Sequence, residues 1–253
     1  VKGKSFKKLR SKNIKVKKGL LKKKIKDFYD PYFFNRKNKT PFVTGKIAIS
    51  KNNLIFSKKN RKITNIKSDK FTHFLRYKND SILISYRTLN KDNPKLNCRL
   101  KGLEKFSPKR IILDNKLKTN TNSYLFKTAN KENTIFFYNE AIKSKILEFK
   151  KNKITVLKSN IDNNKKFNPS IIFKKLYTLG CRNVLVEGGD ELTKNFVSNK
   201  IFNQFFLFKG SKDLSKSFEF KEFSGLKILK KNYKKRLKIN SNFGKDTITL
   251  YKN

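Results

Sequence analysis

Apolar positions fall along this chain in short runs that switch between two spacings, and the switching orders the elements as strand, helix, strand. Phe42, Val43, Ile47, Ala48 and Ile49 form a β-rich run that ends at Ser50, with Lys51-Asn52-Asn53 as the following turn. Ser68-Asp69 are expected to cap a helix to about Tyr77 with Phe71, Phe74 and Leu75 on one face, and Ile82-Leu83-Ile84 reads as a buried strand. The order then repeats. Arg110 to Asp114, Tyr124 to Phe126, Thr134 to Tyr138 and Ile154 to Leu157 read as short strands. Asn168 is placed as an N-cap with Pro169 at the first helical position, Ile172, Phe173, Leu176 and Leu179 make a stripe, and Gly180 ends the helix.

Asn183-Val184-Leu185-Val186-Glu187 is apolar without alternation, as in a parallel strand covered on both faces, and Gly188-Gly189 leads into a helix from Asp190 to Val197. Phe202 to Phe208 and Thr247 to Tyr251 read as closing strands. The fold class is therefore α/β, a layered domain with a mainly parallel central sheet. Residues 1–37 differ: they are a basic lead-in with a periodic stretch from Leu20 to Phe34, read as a helix and a loop.

Composition removes several function classes. With 36% hydrophobic residues the chain can build a core, and no apolar run approaches the roughly 18 to 20 residues of a membrane span, so no membrane partner is expected and a cytoplasmic location is. The lone His73 and the distant Cys98 and Cys181 assemble no familiar metal ligand set. Met is absent and residue 1 is Val, so the chain is expected to be truncated, processed or started at an alternative codon. A net charge of +46 would attract any polyanion. The lysines are spread evenly, however, and the chain is rich in Asn, Ile, Phe and Tyr, the mark of AT-biased coding, so a nucleic-acid partner is not the reading adopted.

Four features could carry chemistry. Gly188-Gly189 between strand and helix leaves backbone N–H groups open to an anion, although such glycines also serve as a plain tight connection. Glu187 ends its strand at the carboxyl edge, where open α/β sheets place ligands; a solvated strand end is the alternative. Lys46 lies within the first strand, and in so lysine-rich a chain the solvent-facing reading leads. Asp92-Asn93-Pro94 reads locally as a turn.

Taken together and in order, these pieces resemble the reductase domain of the bifunctional riboflavin biosynthesis deaminase/reductases, whose fold is similar to dihydrofolate reductase. The resemblance runs through Pro41 to Thr44, Lys46 to Ser50, Ile63-Thr64, Arg76, Thr88 to Leu96 with Asp92-Asn93-Pro94, Arg99, Arg110 to Asp114 and Val184 to Gly189. It implies NADPH as cofactor, with Ala48, Lys62, Thr88, Asp92, Asn115 and the turn Gly189, Asp190, Glu191, Leu192, Thr193, Lys194 and Asn195 around it. Asn60, Arg76, Leu96, Arg99 and Glu187 then fall around a phosphorylated pyrimidine substrate, Arg76 and Arg99 offering planar forks to its phosphate. Lys46 and Asp92 are the ionisable pair expected nearest the reacting carbon, and either could supply the proton.

The implied reaction is reduction of 5-amino-6-(5-phosphoribosylamino)uracil by hydride transfer from NADPH to C1′ of the ribose. Residues 1–37 resemble the end of a deaminase domain and 38–253 the reductase. The H-x-E and P-C-x-x-C pair of a zinc deaminase is absent, so one activity of the two is expected, with the deaminase on a missing N-terminal segment or a separate chain. The oligomeric state is left open by the sequence, a homodimer being one possibility. Two departures stand out: Ser50-Lys51-Asn52-Asn53 replaces the family's Ser-Leu-Asp-Gly, and Lys62 stands where a Trp is common. The rival readings are a dihydrofolate-reductase-like reductase of another pterin or pyrimidine, and a basic nucleic-acid-binding protein.

Overall fold

The computed structural model describes residues 3–59, 62–130 and 132–252, with Lys23 described by its backbone alone. In chain order the elements are α1 (Lys4–Arg10), α2 (Lys22–Asn38), β1 (Phe42–Ile49), β2 (Leu54–Ser57), α3 (Ile66–Lys78), β3 (Ser81–Ser85), α4 (Tyr86–Asp92) and β4 (Lys109–Leu113). There follow α5 (Tyr124–Lys127), β5 (Thr134–Tyr138), α6 (Lys143–Lys151), β6 (Thr155–Lys158), α7 (Pro169–Thr178), β7 (Asn183–Val186) and α8 (Asp190–Ser198). The chain closes with β8 (Gln204–Lys209), β9 (Phe220–Glu222), α9 (Leu226–Asn232), β10 (Lys235–Lys238) and β11 (Thr247–Lys252).

One sheet runs in the order β10-β11-β8-β1-β7-β3-β4-β5-β6. From β8 to β6 every neighbour is parallel, and β11 and β10 add an antiparallel edge. The mainly parallel α/β expectation holds. The apolar run of β7 has the predicted cause: it lies between β1 and β3 and is covered on both faces, with Val184 and Val186 in one core cluster and Leu185 in the other. The first cluster packs against α7, α8 and α9 through Phe173, Phe196 and Leu229, and the second packs Ile82, Phe206 and Phe208 against Leu75 of α3.

Local expectations were met where capping chemistry was explicit. Asn168 caps α7 through Oδ1, which accepts from Ser170 N at 2.9 Å, Pro169 follows, and Gly180 takes φ 86° beyond the helix end. Asn53 adopts φ 64° in the turn after β1, the left-handed conformation that the family's glycine would supply.

Three expectations need correction. Tyr124 to Phe126 is a turn of helix, because Ser123 Oγ accepts from Phe126 N and starts α5. The cap of α3 is Asn65, whose Oδ1 accepts from Lys67 N at 2.9 Å and Ser68 N at 3.1 Å, so that helix begins before Ser68-Asp69. In the lead-in, α2 runs on to Asn38, past the expected end at Phe34.

Candidate active site

The register of β1 against β7 creates the site. Phe42 pairs with Asn183, and the ladder ends at Gly45 with Val186, so the next residue on each strand, Lys46 and Glu187, lies where β7 has stopped hydrogen-bonding to β1. Side chains alternate along a strand, so Lys46 shares a face with Phe206, its partner on β8, and Glu187 shares one with Leu185. Both belong to the face covered by α3, at the carboxyl ends of parallel strands.

From α3, Arg76 meets Glu187 in a fork: Nε donates to Oε1 at 2.8 Å and Nη2 donates to Oε2 at 2.9 Å, with the two side chains only 11% and 13% exposed. Nη1 donates to the Asn97 carbonyl at 3.1 Å. Burial opposes the charge on Glu187, yet the Arg76 charge and hydrogen bonds, with Lys46 and His73 behind them, hold its carboxyl at about 2. Lys46 is half-buried with Nζ 4.9 Å from the Phe208 ring centroid. Burial lowers its pKa, the Glu187 charge opposes the shift, and Arg76 adds to it. The solvent-facing reading of Lys46 is thus corrected: the charges acting on it are those of Glu187, Arg76 and Asp69.

The forks of the two expected arginines differ in state. That of Arg76 is taken by Glu187, whereas Arg99 is exposed, its Nη1 donating to Asn97 Oδ1 at 3.1 Å. Leu96 is buried at 2% exposure in the second core cluster with φ 54°. His73, one helical turn before Arg76, was not singled out from sequence beyond its being the lone histidine. Its Nδ1 lies 3.2 Å from both Arg99 N and Asn97 O. The i, i+3 spacing of His73 and Arg76 on one helix face was the signal available.

A second group lies across β7. No side chain caps α8, whose N-cap is Gly189, and a Cβ there would come 3.5 Å from Thr88 Oγ1. Thr88 lies in α4, which is tied to α8 by the Arg87 and Glu191 ion pair. Past β4, the buried Oδ1 of Asn115 has no hydrogen-bond partner among the described residues. A buried acceptor left open and a helix start without a side-chain cap, both at the carboxyl ends of parallel strands, fit a bound group bringing donors and phosphate.

The remaining expected residues are less central. Ala48 packs against the α3-side core, Lys62 lies 3.9 Å from Asp69 on the surface, and Asp92 is exposed at the end of α4. Asp190 is held by Ser224 N and Oγ at 2.8 Å each, Thr193 Oγ1 donates to Gly188 O at 3.2 Å, and Leu192 packs on the first core cluster. Lys194 and Asn195 continue α8, where Asn195 Oδ1 accepts from Asn199 Nδ2 at 2.7 Å. Asn60 lies outside the described residues.

Residues 49–218 match the family model described as the RibD C-terminal domain. The chain belongs to this family. Among its relatives is a riboflavin biosynthesis protein RibD of Aquifex aeolicus, 26% identical over 99% of this chain and 68% of the relative. Another is a 2,5-diamino-6-ribosylamino-4(3H)-pyrimidinone 5′-phosphate reductase of Debaryomyces hansenii, 28% identical over 76% of this chain and 83% of the relative. A deaminase/reductase structure from Thermotoga maritima superposes with a TM-score of 0.75 at 23% identity, covering 99% of this chain and 67% of its own. A riboflavin biosynthesis reductase from Saccharomyces cerevisiae gives 0.65 at 23% identity, over 90% and 98%. The fold is thus that of the RibD reductases, similar to dihydrofolate reductase. Membership makes the chain an oxidoreductase of riboflavin biosynthesis with a nicotinamide cofactor. Among the described residues no helix is long and apolar enough to cross a membrane.

Proposed function

We propose that this chain is a cytoplasmic 5-amino-6-(5-phosphoribosylamino)uracil reductase that uses NADPH. The observation that carries the reading is the Lys46, Arg76 and Glu187 cluster at the carboxyl edge of the parallel sheet, with Thr88, Gly189 and Asn115 across β7 from it. The cofactor supplies a hydride for C1′ of the ribose. The protein's own work is to align the sugar, hold the phosphate and deliver a proton.

Glu187 stays anionic across the working pH range and is an acceptor for sugar or pyrimidine donors. Its partner Arg76 fixes the carboxylate plane, so Arg76 acts on substrate through Glu187 and not as a free phosphate fork. Arg99, exposed on the segment that His73 and Arg76 contact, takes the phosphate. Lys46 gives up a proton more readily than an ordinary lysine because it is desolvated, and this favours it over the exposed Asp92 as donor to the ring oxygen or imine nitrogen. On the cofactor side, Gly189 and the start of α8 take phosphate, Thr88 and Asn115 take hydroxyl or amide donors, and surface lysines such as Lys62 favour the additional phosphate of NADPH over NADH.

Residues 1–37 are the end of a deaminase-type domain and 38–253 the reductase. The aromatic face of α2 supports this division: Phe28 is 70% exposed and Phe33 59%, so this helix keeps its apolar face out of the reductase core. The test of the function is NADPH oxidation with the phosphoribosylamino substrate. Turnover with NADPH and weak turnover with NADH supports the proposal. A chain that binds NADPH but leaves this substrate unreduced contradicts it.

A further inference from the structure

His73 is the only histidine of the chain, and its buried ring sits between the Arg76 and Glu187 pair and the segment carrying Arg99. Four contacts join α3 to residues 97–99, two of them alternatives at the same ring nitrogen. His73 Nδ1 lies 3.2 Å from Arg99 N, whose N–H points to it as donor, and 3.2 Å from the Asn97 carbonyl. Arg76 Nη1 donates to that same carbonyl at 3.1 Å, and Cys98 Sγ donates to the His73 carbonyl at 3.6 Å. From the other side Ser107 Oγ accepts from Cys98 N at 3.0 Å. A neutral ring with its proton on Nε2 leaves Nδ1 free to accept the Arg99 amide, while Arg76 satisfies the Asn97 oxygen. A charged ring carries a proton on Nδ1 as well. That proton goes to the Asn97 carbonyl and leaves the Arg99 amide facing a donor.

We propose that His73 is a positioning residue whose neutral imidazole fixes the backbone of Arg99, and so the cation that reads the substrate phosphate, and whose protonation releases it. The second half of this inference rests on the function proposed above; the first half is independent of it. The charged groups around the ring are Arg76 on its own helix, Arg99 on the segment it holds and Glu187 beyond β7. Burial, then Arg76 and Arg99, lower the pKa of His73 from its ordinary value, while the Asn97 carbonyl and Glu187 oppose the shift. A depressed pKa means that the folded state prefers the neutral ring. The hold is complete above the unfolded value of about 6.5 and is lost as pH falls through the lower folded value.

The test uses the full chain and two variants. His73→Leu removes the acceptor, while His73→Asn keeps a carbonyl oxygen near the Nδ1 position without a titrating group. Hydrogen exchange of the Arg99 amide, which needs no substrate, should lose about tenfold protection or more in His73→Leu. His73→Asn should recover most of that protection. On acidification below pH 6.5, through the lowered folded value, protection should fall in the natural protein and hold in His73→Asn. Unchanged protection in a folded His73→Leu protein overturns the proposal. So does an equal acid loss in the natural protein and His73→Asn, a comparison that decides the matter even if His73→Leu does not fold. In kinetics, His73→Leu should raise KM for the phosphorylated substrate with kcat and NADPH affinity little changed, and His73→Asn should restore it. If exchange behaves as expected while KM does not move, the hold of His73 on Arg99 stands and the assignment of Arg99 to the substrate falls.

Discussion

Arg76 and Glu187, 111 residues apart in the chain, face each other through two nearly parallel hydrogen bonds of 2.8 and 2.9 Å at the carboxyl edge of the sheet. The pair joins α3 to the end of β7, and Lys46 stands beside it with its pKa lowered by burial. Ion pairs this sheltered are costly to break on one side only, because the remaining charge is left buried.

Arg76→Met should therefore destabilise the protein by about 3 kcal/mol or more, and Glu187→Gln by a smaller amount because the amide keeps an acceptor. The double substitution should cost less than the sum of the two. Urea unfolding of the three variants measures this. Strict additivity would mean that the two side chains are not energetically coupled.

The same pair predicts an acid limb of stability. Glu187 is held at about 2, below its ordinary 4.5, so the folded state resists its protonation. Its contribution is complete above about pH 4.5 and is lost as pH falls toward 2, with a magnitude on the order of 3 kcal/mol. Comparing urea midpoints at pH 6 and pH 3 for the natural protein and Glu187→Gln isolates it. The variant should lose less stability over that interval, and equal losses would contradict the assigned shift.

Much of this architecture was legible in the sequence because its causes are local. β7 could be read because a strand covered on both faces needs apolar residues at successive positions, and α7 because Asn168, Pro169 and Gly180 mark its ends. The strand β10 has no such mark: all four of its residues, Lys235 to Lys238, are exposed, and pairing with β11 alone places it. Tyr124 to Phe126 looked like a strand because three apolar residues have no period, and Ser123 decided for helix. Glu187 could be placed at the sheet edge, but its bond to Arg76 depends on how α3 crosses β7, which no short window contains. Lys46 was hidden by composition, since one half-buried lysine among 64 cationic residues has no distinct signature until the register with β7 is known.

A packing prediction follows from that register. A Cβ at Gly45 would run into the Phe205 ring and come 2.8 Å from Phe202 Cε1. Gly45→Ala should cost about 1 to 3 kcal/mol as β1 and β8 shift apart, and it should disturb Lys46, the next residue. A thermal melt and steady-state kinetics on the same preparation check both. A variant as stable as the natural protein would show that the two aromatic rings yield without strain.

Asn115 gives an opposite pattern. Its buried Oδ1 has no partner among the described residues, so Asn115→Ala should change stability little, within about 1 kcal/mol, while weakening NADPH binding by about three- to tenfold. Fluorescence titration with the cofactor and a urea melt separate the two effects. Loss of stability with unaltered affinity would make Asn115 a structural residue of the turn after β4.

The central claim is that this site reduces a phosphorylated substrate and that Arg99 reads the phosphate. The most direct measurement is kcat/KM for NADPH oxidation with the substrate carrying its 5′-phosphate and with the same compound lacking it, in the natural protein and in Arg99→Ala, at low and high salt. The phosphorylated compound should be preferred strongly by the natural protein, and Arg99→Ala should reduce that preference by about 10- to 100-fold with little change in NADPH affinity. A loss that falls equally on both compounds and vanishes at high salt would assign Arg99 to the general basic surface and contradict the account.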